Sequence, residues 1–167
     1  MPKSLADGKI KLTMLPTAPT DPSALTTTEL NAGIDIQCDI LASDFRLSAT
    51  ASDTVGDSPL CNDSNAVVYG RSNYEGSMTP FRYFDETGAV DATEDTLWAA
   101  AKAKGTHLHL VKRWNGKPHD EDWASGDEYE YWHVITDEPQ DPSDMGGYIK
   151  KVVPLGPQRK VSGEVGA

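Results

Sequence analysis

The chain has 167 residues, enough for one domain with a sizeable buried core. Asp and Glu number 26 against 15 Lys and Arg, a net charge of −11, and so acidic a surface excludes an ordinary phosphate-gripping nucleic-acid binder. No apolar run is long enough to span a membrane, and the opening stretch lacks the apolar centre of a signal peptide, so no membrane partner and synthesis in a cytoplasm are expected.

Residues 9–15 (KIKLTML) alternate and read as a strand. Pro16, Pro19 and Pro22 then break any ladder. Residues 16–30 form a Pro/Thr-rich stretch, either a surface loop or an arm reaching to a neighbour. Within 30–40, Ile34, Ile36, Cys38 and Ile40 alternate with Asp35, Gln37 and Asp39, the pattern of a half-buried strand with Cys38 on its apolar side. Cys38 and Cys61 form no metal or redox motif and read as reduced structural thiols. Residues 45–52 (FRLSATAS) give a second polar-faced strand, and 53–64 a loop rich in Gly, Pro, Asn and Asp. Residues 65–74 and 78–83 read as a hairpin turning at 73–77.

The clearest helix signal covers 92–104. Asp91 stands three residues before Glu94, a capping-box spacing, and Lys102 and Lys104 lie in the last turn. Leu97, Ala100 and Ala101 make a narrow apolar stripe with Trp98 beside it, and Gly105 stands where a helix-ending glycine would. The period then changes to two: Leu108, Leu110 and Trp114 face one way, His107, His109 and Val111 the other. Asn115-Gly116 opens a long turn-rich loop, and residues 129–136 (YEYWHVIT) are the partner strand. Another loop precedes a closing strand at 148–154, and the C-terminal tail over 154–167 holds, after Pro157, a short last strand or tail (RKVSGEV). These elements make a mainly β single domain, a β-sandwich or barrel with one flanking α-helix.

His107 and His109 lie two apart on one strand and so share a face, with His133 expected on a neighbouring strand. A zinc site needs three or four converging ligands; the sequence fixes no third one, so the face reads as a polar sheet surface and no metal is expected. Residues 119–122 (HDED) lack the glycine and spacing of a calcium loop. No nucleophile elbow and no phosphate-binding loop appears, so neither enzymatic activity nor a cofactor is expected. The charge map is more informative. Between Pro118 and Ile149 there are ten acids and no Lys or Arg. Lys3, Lys9 and Lys11 cluster at the start, and Lys150, Lys151, Arg159 and Lys160 near the end. Basic termini that meet the acidic loops of a neighbouring copy would make a heterologous contact, which closes into rings or stacks into filaments.

Three stretches carry a family resemblance: MPKSLADGKIKLTML at the start, EDTLWAAAKAKGTHLHLVKRW in the middle and YIKKVVPLGPQRKVSGEV at the end. In their order and character they resemble the major tail (tail tube) proteins of long-tailed, siphovirus-like bacteriophages of actinobacteria. The resemblance implies a β-sandwich with a flanking helix, hexameric rings stacked into a tube, and an acidic channel for double-stranded DNA. It also implies a place in the virion and contact with tape measure, terminator and distal tail proteins. Asp35, Asp39, Glu128 and Glu130 are the expected channel-lining acids, with Lys9, Lys11, Leu25, Leu30, Lys150, Lys151, Arg159 and Lys160 at subunit contacts. Two alternatives stay open: a ring-forming tail terminator or head–tail joining protein, and a stand-alone carbohydrate- or metal-dependent binding module. The module would use Trp114, Trp123, Tyr129, Tyr131 and Trp132 as an aromatic platform.

Overall fold

A computed structural model describes residues 3–63 and 67–167. Its chain order is β1 (Ile10–Leu15), α1 (Thr27–Asn31), β2 (Ile34–Asp35), β3 (Arg46–Thr50), β4 (Thr54–Val55), β5 (Val68–Tyr69), β6 (Asn73–Met78), α2 (Thr96–Ala101), β7 (His107–Trp114), β8 (Glu128–Thr136) and β9 (Val153–Glu164). Seven strands form one antiparallel sheet in the order β2-β1-β7-β8-β9-β6-β3, and β4 and β5 pair apart from it. No described helix is long and apolar enough to cross a membrane.

The sheet curls. Lys112 of β7 donates from Nζ to the Leu47 carbonyl of the edge strand β3 at 3.2 Å, and Tyr74 of β6 meets Trp132 of β8 edge to face at 5.5 Å. Ile40, beyond the other edge strand, bridges to Pro80 beyond β6. Curling brings both edges round one main core, containing Leu12 and Met14 of β1, Leu47 of β3, Leu110 of β7 and Trp132 of β8. Helix α2 sets Leu97 and Ala101 against this core, as the apolar stripe requires. A second, smaller core lies on the opposite face. There Leu25, Leu30, Val111, Trp123, Tyr129, Tyr131 and Val165 pack together under the arm. One end of β7–β8 is therefore covered on both faces.

The mainly β architecture and the helix lying on the sheet are as the sequence implies, but several elements differ. The expected 92–104 helix spans only Thr96–Ala101. Asp91 does accept from the N–H groups of Thr93 and Glu94, but this closes a turn ahead of the helix. Gly105, at φ +83, serves the turn into β7 and donates its N–H to the Thr136 carbonyl. A capping box does form elsewhere, in the arm expected to lack structure. Thr26 Oγ1 accepts from the Glu29 N–H, and the Glu29 carboxylate accepts from the Thr26 N–H.

Residues 30–40 are the end of helix α1, the two strand residues of β2 and a 3-10 turn over Gln37–Asp39, not one continuous strand. Ile36 and Ile40 are buried, but the 3-10 turn leaves Cys38 exposed rather than in the core. Residues 73–77, expected at a turn, lie in β6, which pairs with both β3 and β9. The hairpin in this region is β4–β5, and residues 64–66, on which the expected loop and hairpin arm meet, lie outside the described residues, as do residues 1 and 2.

The expected closing strand at 148–154 is mostly loop, with only its last two residues in a strand, and the stretch expected as a short last strand or tail belongs to the 12-residue β9, held between β8 and β6. Its prolines sit where a strand tolerates them. Pro157 falls at a register shift opposite the His133/Val134 step, so the bulge absorbs its missing donor. Gly163 leaves room for Tyr129, whose hydroxyl oxygen stands 2.8 Å from where a Cβ would be.

Candidate assembly surfaces

β4 and β5 lie outside the main sheet, and the hairpin they make with its connecting loop exposes several large apolar side chains. Val55, Val67, Val68 and Tyr69 are exposed, and Leu60 is wholly so. A lone two-stranded hairpin is marginal in water, so these side chains lack the cover that would stabilise them. A second exposed apolar group, Met145, Tyr148 and Ile149, lies in the loop before β9. Lys150 steadies this loop by donating to the Gly146 carbonyl at 2.8 Å, and Lys151 pairs with Asp141. A groove of about 300 Å³ lies where the curled sheet stays open, lined by Ile10, Leu12, Cys38, Ile40, Phe45 and His119 among others.

The arm is fastened to its own chain. Tyr129 donates its hydroxyl to the Pro22 carbonyl at 2.9 Å and accepts from the Leu25 N–H at 3.4 Å. Thr26 bridges in parallel to Gly166. Leu25 and Leu30, expected at subunit contacts, are therefore buried in this chain's second core and present no side chain to a neighbour. Lys11 is buried too: it pairs with Asp35, whose other oxygen accepts from the Thr13 hydroxyl at 2.7 Å. Lys160 pairs with Glu130 at 3.2 Å and lies over the Trp132 ring. Of the expected contact residues, Arg159 is exposed and Lys9 half-exposed, and neither has an ion-pair partner among the described residues.

The expected channel acids divide in the same way. Asp35 is taken up by Lys11 and Thr13. Asp39 accepts from the Tyr83 hydroxyl at 2.8 Å, and burial together with this bond pushes the Tyr83 phenol up to about 12. Glu130 is held by Lys112 at 2.7 Å as well as by Lys160. Burial pushes its carboxyl up, but the two lysines outweigh that and hold it below the usual range. Glu128 alone is exposed and without an ion-pair partner among the described residues, and directly opposite it on β9 stands exposed Glu164, which the sequence pattern did not single out.

The aromatic platform is not present. Trp114 is exposed, but Trp123, Tyr129, Tyr131 and Trp132 are buried in the two cores. The three histidines do share a face. His109 and His133 stand directly opposite, with ring centroids 4.9 Å apart, and His107 stacks on His133 at 5.1 Å. As they stand, no three His, Cys, Asp or Glu side chains among the described residues are arranged to hold a metal ion.

These features define a mainly antiparallel β protein whose exposed hairpin, loop and groove exceed what its own core uses. Residues 1–166 match the family model described as phage tail tube protein. The chain belongs to that family. A chain in the cryo-EM structure of the anti-feeding prophage (AFP) baseplate, 6-fold symmetrised, has a similar fold, with a TM-score of 0.51, 14% identity and 97% of each chain covered. No curated protein matches the chain.

Proposed function

We propose that the chain is a non-enzymatic structural subunit of a siphovirus-like tail, from a phage of actinobacteria. It assembles with itself into hexameric rings that stack as a tube in the virion. The observation that carries the reading is the β4–β5 hairpin, which pairs with no other strand among the described residues and exposes Val55, Leu60, Val68 and Tyr69. Membership of the tail tube family over 1–166 supports the tube, and the likeness to a chain of the anti-feeding prophage baseplate supports the fold.

In the tube the hairpin packs against a neighbouring copy, burying its apolar side chains. Arg159, Lys9 and Lys150, the expected contact cations without an ion pair among the described residues, meet a neighbour's acidic loops. Double-stranded DNA passes along the channel without specific binding, repelled by a wall of the same sign. Glu128 and Glu164 are the carboxylates that supply this charge, with Asp35, Asp39 and Glu130 contributing less because each is already engaged. The tube is made in the host cytoplasm and joins tape measure, terminator and distal tail proteins.

The test is the double substitution Val68→Asp, Tyr69→Asp. Both side chains lie outside the cores, so the chain is expected to keep its circular dichroism and melting behaviour but to stop forming particles larger than a single ring in sedimentation. Unchanged assembly would remove the hairpin from the interface. Rings that never stack even in the parent chain would favour a terminator or joining protein.

A further inference from the structure

The sequence leaves the H-x-H pair on β7 without a third ligand; the fold supplies one. His133 of β8 stands directly opposite His109 and diagonal to His107, so three imidazoles line one face of two paired strands. The backbone of a sheet holds such neighbours at fixed spacing. His107 Nδ1 and His133 Nε2 are 2.8 Å apart, a contact that one proton bridges. Two nitrogens each bound at about 2.0–2.1 Å to one zinc ion, at ordinary bond angles, lie roughly 2.9–3.4 Å apart. An ion bound by both nitrogens would sit off the line between them, so the two rings must part by a few tenths of an ångström and turn until their lone pairs converge, a side-chain rearrangement that the paired strands leave room for.

His109 is prepared for the third position. Its Nδ1 meets the Tyr131 hydroxyl at 2.7 Å, and when that nitrogen donates, the lone pair of Nε2 is left free. Such an outer partner fixes the tautomer of a metal-binding histidine. The rings now lie nearly parallel, within 24° and 19° of one another, which is why they form no ready-made site. Rotating His109 about its side-chain bonds is the change that convergence needs.

Every group bearing on this face can be named. Burial lowers the pKa of His109 and of His133, and the neighbouring imidazoles lower them further. Tyr131 is held as a neutral phenol by burial. Arg159 stands opposite His133 on β9, exposed, and opposes a cation; Asp21, in the arm, feels the charge of Arg159.

We propose that His107, His109 and His133 bind one divalent transition-metal ion of the kind imidazole prefers, zinc or nickel, across β7 and β8. The site does not depend on the tube reading: it lies within one chain and stands or falls on a soluble subunit.

Zinc chloride is titrated calorimetrically into the full chain at pH 7.5, with histidine-selective NMR on the same sample. One ion per chain is expected, with the ring signals of His107, His109 and His133 shifting together and His119 unmoved. His133→Gln is expected to weaken binding at least about tenfold, as loss of a ligand or of its outer partner commonly does. His119→Gln is expected to leave it unchanged, and Arg159→Gln to tighten it. Should His133→Gln fold poorly, the parent chain still decides, through the stoichiometry of binding and the joint movement of the three ring signals. Zinc binding that leaves the three ring signals in place, or no binding at all, would overturn the proposal.

Discussion

Arg113 and Asp127 form a buried ion pair, Nη1 to Oδ2 at 3.2 Å, that holds the whole β7–β8 connection in shape. Arg113 also donates to the carbonyls of Pro118, Glu121 and Asp122 and lies against the Trp123 ring. Asp127 accepts in turn from Lys117, Asn115 and the Ala124 N–H. Burial would raise the Asp127 carboxyl, but Lys117, the Ala124 N–H and the Arg113 charge together hold it below the usual range. A loop dense in acids thus closes around one guanidinium.

Removing one partner of this pair leaves a buried charge unmatched. Asp127→Ala is expected to lower stability by about 3–5 kcal/mol in urea unfolding. A loss under about 1 kcal/mol would mean that water reaches Arg113 and that the loop is not organised by it.

The histidine face makes stability depend on pH. Burial, then the neighbouring imidazoles, lowers the His109 and His133 pKa values from the usual 6.5. Between those lowered values and 6.5 the unfolded chain binds more protons than the folded one, so stability falls as the pH drops through that window. Urea midpoints at pH 5.5 and 7.5, without metal, are expected to differ in that direction. His133→Gln is expected to shrink the difference; an undiminished difference would place its origin in other groups.

Much of this was legible because simple alternation marks a strand with one wet face. Residues 9–15, 45–52 and 107–114 carry it, 129–136 is marked instead by aromatic and β-branched residues, and each of the four stretches contains a strand. Residues 30–40 alternate as well, yet the chain turns after Asp35, where Lys11 and Thr13 capture its carboxylate and Gly33 packs against Thr13. The alternation there records which side chains find the core, not an extended backbone. β6 escaped notice for the opposite reason. Its Gly76 and Ser77 look like turn residues, but a Cβ at Gly76 would lie 3.0 Å from the Leu155 Cβ, so the glycine is what lets β9 pack alongside. The length of β9 was hidden by Pro154, Gly156, Pro157 and Gly163, which suggest at most a short strand after Pro157 although the long-range pairing runs through them. The same holds at the surfaces. Lys11, Leu25 and Leu30 looked available in the sequence because their buried partners, Asp35 and the second core, become neighbours only after folding.

The arm depends on a small residue opposite a large one. Gly163→Ala would force the Tyr129 ring away from Pro22 and Leu25, and an overpacked site of this kind costs about 1–3 kcal/mol. Limited proteolysis is expected to cut residues 16–25 faster in this variant than in the parent chain. Tyr129→Phe, which removes the hydroxyl but not the ring, is expected to show a milder form of the same effect, about 1 kcal/mol. Equal cleavage in all three chains would show that the second core alone holds the arm.

The most direct measurement is negative-stain electron microscopy of the purified chain across a concentration series, with light scattering on the same samples. Hollow tubes of regular axial repeat, appearing above a threshold concentration and absent from the Val68→Asp, Tyr69→Asp chain, are the predicted result. A monodisperse monomer at every concentration, with the hairpin variant indistinguishable from it, would contradict a self-assembling tube subunit.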